Sequence, residues 1–189
     1  ISVSLSPEYM VSTDNLQYVT TIEDTNPDNY IMANLHSEQF SLSARVNVGI
    51  TPDMSIQYYG QPFFFSGNYT KFKTITNSMA ADYYDRFHEY TPDEIKLDGE
   101  NGVYNVDADK NGTTDFSFDD PNFHFLQYRS NLVFRWEYKP GSTFFLVWSQ
   151  GRTTDGPEGN FNFSDYATEL HQAIPRNDFL IKISYALIF

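Results

Sequence analysis

The chain of 189 residues contains no cysteine, which excludes a disulfide scaffold and any Cys-ligated metal. No run approaches the ~18 apolar residues a membrane helix needs, so a helical membrane protein is excluded too. Basic residues are scarce: 12 Lys and Arg stand against 25 Asp and Glu, a formal net charge of −13. No basic cluster is available to neutralise phosphates, and nucleic acid is not an expected partner. Tryptophan is nearly absent, with 2 residues, whereas 17 Phe and 14 Tyr favour strands over helices. Ile1 is not preceded by a Met, a basic n-region or an apolar h-region, which gives the expectation of a processed product or a piece of a longer chain. Catalytic signatures are missing as well. There is no G-x-S-x-G, H-E-x-x-H or phosphate loop, and His36, His88, His124 and His171 are scattered without metal or triad spacing.

What the chain does have is alternation. In Asn177–Phe189 (NDFLIKISYALIF), Phe179, Ile181, Ile183, Tyr185, Leu187 and Phe189 share one face of a strand, and Asp178, Lys182 and Ser184 take the other. A transmembrane β-strand crosses the hydrocarbon in about 9–11 residues with one face outward, and this stretch has that length and period. Phe40–Thr51 alternates in the same way, with Arg45 and Asn47 on its polar side, and after the Thr51-Pro52-Asp53 turn Met54–Phe65 follows with Gln57. Ile1–Ser6, Leu16–Glu23 and Tyr30–His36 are shorter strand candidates, separated by a turn signal at Thr13-Asp14-Asn15 and a polar connection containing Pro27. Pro62 inside its run predicts a bulge or the strand's outer end.

The most informative strand is Leu126–Tyr138. Leu126, Tyr128, Ser130, Leu132, Phe134, Trp136 and Tyr138 face one way; Gln127, Arg129, Asn131, Val133, Arg135 and Glu137 face the other. Inside a soluble barrel those charges would be expensive to bury, whereas a membrane barrel turns them toward a polar lumen. Arg45, Asn47, Gln57, Arg129, Asn131, Arg135, Glu137 and Lys182 are the predicted lumen-facing polar residues. Connection lengths agree with that reading. Lys139–Ser142 and Thr51–Asp53 are short turns at one end, and 67–122 and 152–176 are long loops at the other, the asymmetry of outer-membrane barrels. Trp136, Tyr138, Tyr185 and Phe189 lie near the short-turn end as an aromatic girdle.

The stretches FSLSARVNVGITPDMSIQYYGQPF, SGNYTKFK, YYDRF, DFSFDDPNF, RSNLVFRWEYKPGSTFFLVWSQGR and DFLIKISYALIF cover most of the chain after residue 30. In combination they resemble a family of Gram-negative outer-membrane proteins: the C-terminal domain of unknown function that follows a carbohydrate-binding family 9-like domain. The resemblance implies a β-barrel in the bacterial outer membrane, with more strands and a sugar-binding-like domain upstream. The final strand, with Ile183, Tyr185, Leu187 and Phe189, likewise resembles the signal that such barrels present to their assembly machinery. The expected architecture is therefore all-β: an antiparallel transmembrane β-barrel, with about eight strands in this chain as the C-terminal part of a larger barrel. Expected partners are outer-membrane lipid, the barrel-assembly machinery and other outer-membrane subunits. The expected role is structural, transport or surface-related and not enzymatic. Two alternatives from other classes are a hydrolase active at the barrel rim and a soluble lipocalin-like ligand-binding barrel.

One motif has ligand spacing. Asp107, Asp109, Asn111 and Asp115 fall at positions 1, 3, 5 and 9 of a calcium loop, with Gly112 at the sharp turn and the Thr113 carbonyl at position 7. Hard oxygens at this spacing suit a structural Ca²⁺. Phe118 departs from the pattern at position 12, where Asp119 or Asp120 would have to substitute. Acid-rich 67–122 is predicted as an external loop with a helix at Asn77–Tyr90, and the adjacent acids Asp93-Glu94 and Asp119-Asp120 are read as solvated.

Overall fold

A computed structural model describes residues 1–23 and 28–187. Among the described residues the regular structure is antiparallel β, apart from one helix and one 3-10 turn at Tyr84–Arg86. In order the elements are β1 (Ser2–Ile22), β2 (Asn29–Thr51), β3 (Met54–Ile75), β4 (Phe87–Glu89), β5 (Ile95–Asp98), β6 (Val103–Val106), β7 (Phe116–Asp119), β8 (Phe123–Lys139), β9 (Ser142–Gly156), α1 (Phe163–Gln172) and β10 (Arg176–Ser184). The main sheet runs β1-β2-β3-β8-β9-β10, with β4 paired to the far end of β3; β5-β6-β7 form a separate small sheet.

The six long strands replace the eight shorter ones expected from the sequence. Ile1–Ser6 and Leu16–Glu23 merge because Thr13-Asp14-Asn15 is absorbed within β1. Asp14 accepts a hydrogen bond from the Leu16 amide at 2.8 Å, and the β1–β2 register shifts between Asp14 and Gln17. Tyr30–His36 and Phe40–Thr51 merge because Ser37 and Glu38 are paired on both sides, to Ser12 and Val11 of β1 and to Gly67 and Ser66 of β3. Pro62 is neither a bulge nor an outer end. It sits mid-strand opposite Tyr128, and β2 simply lacks β3 partners at Leu42 and Ser43 before resuming the same register. The connection around Pro27 lies outside the described residues.

The loops are also more ordered than their polarity suggests. β3 continues to Ile75, so the long connection begins later than residue 67 and contains β4 to β7. The predicted helix at Asn77–Tyr90 is instead the single turn at Tyr84–Arg86. In 152–176, β9 runs on to Gly156 and α1 follows. Asn162 caps α1 by accepting from the Ser164 and Asp165 amides, and Tyr166 and Leu170, one turn apart, are its buried anchors. A helix this short is marginal alone, but each buried aromatic or Leu contributes about 1.5–3 kcal/mol, enough to hold it on the sheet.

Register carries the pattern from strand to strand. Val3, Val46, Tyr58, Leu132, Trp148 and Phe179 form one row across all six long strands, and Val48, Ile56, Phe134, Leu146 and Ile181 form the next toward the short turns. Ser4, Arg45, Tyr59, Asn131, Ser149 and Asp178 form a row of opposite facing. One face of this half of the sheet is thus apolar across its whole width, and the other is largely polar.

Among the described residues, buried apolar side chains sit only toward the long-loop end. Ile31, Ala33, Phe72, Tyr90, Val106 and Phe118 make one cluster, which joins β2 and β3 to the small sheet; Phe64, Leu126, Tyr166 and Leu170 make the other, under α1. Near the short turns, Trp136 meets Tyr138 edge-on at 6.0 Å, and the Tyr138 hydroxyl donates to the Ser184 carbonyl at 3.1 Å. The sheet is open: among the described residues β1 pairs only with β2, and β10 only with β9.

Candidate functional site

By strand register Arg45, Asn47, Gln57, Arg129, Asn131, Arg135, Glu137 and Lys182 share one face of the sheet. Arg45 opposes Tyr59, Asn47 opposes Gln57, Asn131 opposes Tyr59 and Ser149, and Arg135 opposes Ser55 and Phe145, which in turn opposes Lys182. Arg129 opposes Gln61. Glu137 continues this face at the turn, where it accepts from Arg135 at 2.8 Å and from the Gly141 amide at 3.0 Å. The row is not uniformly polar, since Val133, Val147 and Leu180 lie beside Gln57. On the opposite face, Val3, Phe179, Ile181 and Ile183 are each more than 60% exposed, and none of the described elements covers the rows they belong to.

Of the predicted assembly signal, Ile183 ends within β10, opposite Phe144. Tyr185 and Leu187 lie beyond the strand, and the Ala186 amide donates to the Ser142 hydroxyl at 3.0 Å. Phe189 lies outside the described residues.

The calcium-spaced residues converge. Asp107, Asp109 and Asp115 each place a carboxylate oxygen within 4.8 Å of the others. The turn is shaped by its own side chains. Asp107 accepts from the Asn111 amide at 3.0 Å and from the Gly112 amide at 2.8 Å, Asn111 accepts from the Thr113 amide at 2.9 Å, and Asp115 accepts from the Ala108 amide at 2.8 Å. Gly112 has φ +89, the conformation expected of the glycine at the sharp turn. Phe118, at the twelfth position, is buried in the adjacent core and offers no ligand atom, and Asp120 accepts from the Asn122 amide at 3.0 Å.

Two charged sites escaped the sequence reading. Glu94 is buried, not solvated: it accepts from the Thr91 amide at 2.7 Å, the Thr91 hydroxyl at 2.9 Å and His88 Nε2 at 3.0 Å, with Lys110 at 3.5 Å. The Thr91 amide is the foremost reason its carboxyl is held down at about 2. His124, also buried, faces acceptors at both ring nitrogens. Nδ1 meets the Glu158 carbonyl at 3.1 Å, and Nε2 meets Glu169 at 3.1 Å, so the ring ties the 157–162 segment and α1 to β8. Glu158 and Glu169 lie far from His124 in sequence, and no local spacing signals them.

Ser66 is the strand neighbour of His124, which brings Ser, His and acid together. Its hydroxyl is sealed from solvent and does not bond the imidazole, whose nitrogens are turned to the glutamates, so no nucleophile–base contact forms. No helix among the described residues is long and apolar enough to cross a membrane. The chain matches no family model, no curated protein and no solved structure.

Proposed function

We propose that this chain is the membrane-spanning part of an outer-membrane β-barrel with a structural, transport or surface role. The observation that carries the reading is the uncovered apolar half-sheet: rows of Val, Ile, Leu, Phe and Trp run across six strands, and none of the described residues packs over them. A soluble protein rarely leaves so large a contiguous apolar area in water. Hydrocarbon is the solvent that suits one face, and a water-filled lumen suits Arg45, Asn131 and Arg135 on the other. The strands of 21 to 23 residues exceed the membrane crossing of about 9–11, so β1 to β3 continue beyond the bilayer into the region where both buried clusters lie.

In this reading further strands, from the same protein or from another outer-membrane subunit, complete the ring at the free edges of β1 and β10. The assembly machinery reads the pattern Ile183, Tyr185, Leu187 and Phe189. Calcium held by Asp107, Asp109, Asn111 and Asp115, with the Thr113 carbonyl, orders the acidic turn outside the membrane. The test is flotation of the refolded chain with phosphatidylcholine vesicles, together with heat-modifiable gel migration. A monodisperse monomer in detergent-free buffer that does not float overturns the proposal and leaves the soluble ligand-binding barrel.

A further inference from the structure

The polar face of the sheet carries its charge unevenly. Gln61, Arg129, Gly151 and Arg176 are successive partners in one row across β3, β8, β9 and β10, and Arg45, Tyr59, Asn131, Ser149 and Asp178 form the next row toward the short turns. Arginine outnumbers carboxylate in these two rows, although the chain as a whole has a net charge of −13. Arg176 pairs with Asp178 at 3.2 Å. Arg45 meets only the face of the Tyr59 ring, at 5.4 Å, and the Arg129 side chain has no acceptor among the described residues. Asp155, the next carboxylate along β9 on this face, is two rows from Gly151, about 13 Å.

Gly151 turns that charge into a site. It stands between Arg129 and Arg176, whose strands are two spacings apart, about 10 Å, and a Cβ at this position would meet nothing within 4 Å. A cleft of about 620 Å³ lies there, with the glycine as its floor and the two arginines on opposite sides. Gln127 and Thr153 line it toward the long loops, and Ser149 and Asp178 toward the short turns. The Gln127 and Thr153 side chains spend no hydrogen bond on another described residue, so an amide and a hydroxyl stand ready beside the guanidinium groups.

We propose that this cleft binds a small organic anion, held by its phosphate or carboxylate oxygens between Arg129 and Arg176. A guanidinium fork matches either oxyanion, and arginine on a pore wall selects anions for passage. A neutral solute gains nothing from the unspent charge. By holding Arg176, Asp178 leaves Arg129 as the stronger anchor and keeps the site weak enough to release what it takes, as passage through a pore requires. The inference rests on the membrane reading, in which this face borders water, and it names the class of solute that the lumen holds.

The experiment uses the whole chain assembled in phosphatidylcholine vesicles, which carry no net charge, and flotation is scored first. Equilibrium dialysis in dilute buffer then follows glycerol 3-phosphate and glycerate, with glycerol as the neutral control; salt is kept low because the Debye length is only about 10 Å at 0.1 M. The wild type is expected to bind at least one of the two anions saturably and to ignore glycerol. Arg129→Gln is expected to weaken that binding on the order of tenfold, the scale of one charge-assisted hydrogen bond. Gly151→Val keeps every charge and suits a strand, and it is expected to lose as much by filling the floor. Lys182→Gln removes a charge from the same face about 20 Å from Arg176 and is expected to leave binding within about twofold. No saturable binding of either anion, equal binding of glycerol, full binding by Gly151→Val, or an equal loss in Lys182→Gln, the mark of a diffuse field, overturns the proposal. If the wild type does not float, the membrane reading falls by itself. The same dialysis in detergent-free buffer then judges the cleft: saturable anion binding that weakens in Arg129→Gln and Gly151→Val supports it, and no binding overturns it.

Discussion

Glu94→Gln is the perturbation whose consequence can be worked most fully from the structure. The carboxylate is 4% exposed and takes three hydrogen bonds, from the Thr91 amide and hydroxyl and from His88, with Lys110 at 3.5 Å. The Glu94 carbonyl also accepts from the Asp107 amide at 2.8 Å, so this residue joins the start of β5 to the acidic turn. Gln keeps the shape but loses the charge, turning charge-assisted bonds of about 1.5–3 kcal/mol into neutral ones of about 1 kcal/mol; roughly 2 kcal/mol of local stability should go. That corresponds to about 30-fold faster hydrogen exchange of β5–β7 amides at pH 7. The pH dependence has a definite sign. The folded carboxyl titrates at about 2 against 4.5 when unperturbed, so the unfolded form binds more protons between those values. The contribution is complete above about pH 4.5 and is lost as pH falls toward 2. Pepsin cleavage within 90–107 should therefore accelerate through that window in the wild type and less steeply in Glu94→Gln. Equal amide exchange in the two proteins at pH 7 would refute the reasoning.

Calcium should raise protease resistance within 98–120, and Asp107→Ala should abolish the gain. Because Asp107 also holds the Asn111 and Gly112 amides, the calcium-dependent increment is the diagnostic, and identical cleavage with calcium and with chelator contradicts the site. Gly159→Ala should cost about 1–3 kcal/mol of local stability by overpacking. Its Cβ would lie 2.4 Å from the Gly67 carbonyl oxygen and 2.9 Å from the Asn68 Cα, both backbone, so the 157–162 segment must lift. Limited proteolysis of that segment checks it, and unchanged cleavage opposes it.

The alternating half of the sheet was legible in the sequence because its face pattern is local. Arg129, Asn131 and Arg135 announce one side of β8 by spacing alone, and the pairings merely extend that pattern to Arg45 and Lys182. Strand ends were not legible. Ser37–Gln39 looks like a break, but pairing with Ser12 and Gly67 continues β2 through it, and Asp14 bends β1 without ending it. The acidic turn was readable because Asp107 to Asp115 is a contiguous run whose side chains satisfy its own amides. Glu94 and His124 were hidden for the opposite reason. Their burial depends on Thr91, His88, Glu158 and Glu169 being brought together by β4–β5 and α1, and a low-polarity signal was absent from either position.

The central claim is that the two faces of β8 meet different solvents, and the absence of native cysteine allows a direct test. Single cysteines at Leu132, Val133, Phe134 and Arg135 are introduced one at a time, and the proteins are assembled in phospholipid vesicles and treated with a membrane-impermeant maleimide. The account predicts alternation: positions 133 and 135 label in intact vesicles, whereas 132 and 134 label only after denaturation. Equal labelling of all four positions in intact vesicles would contradict it.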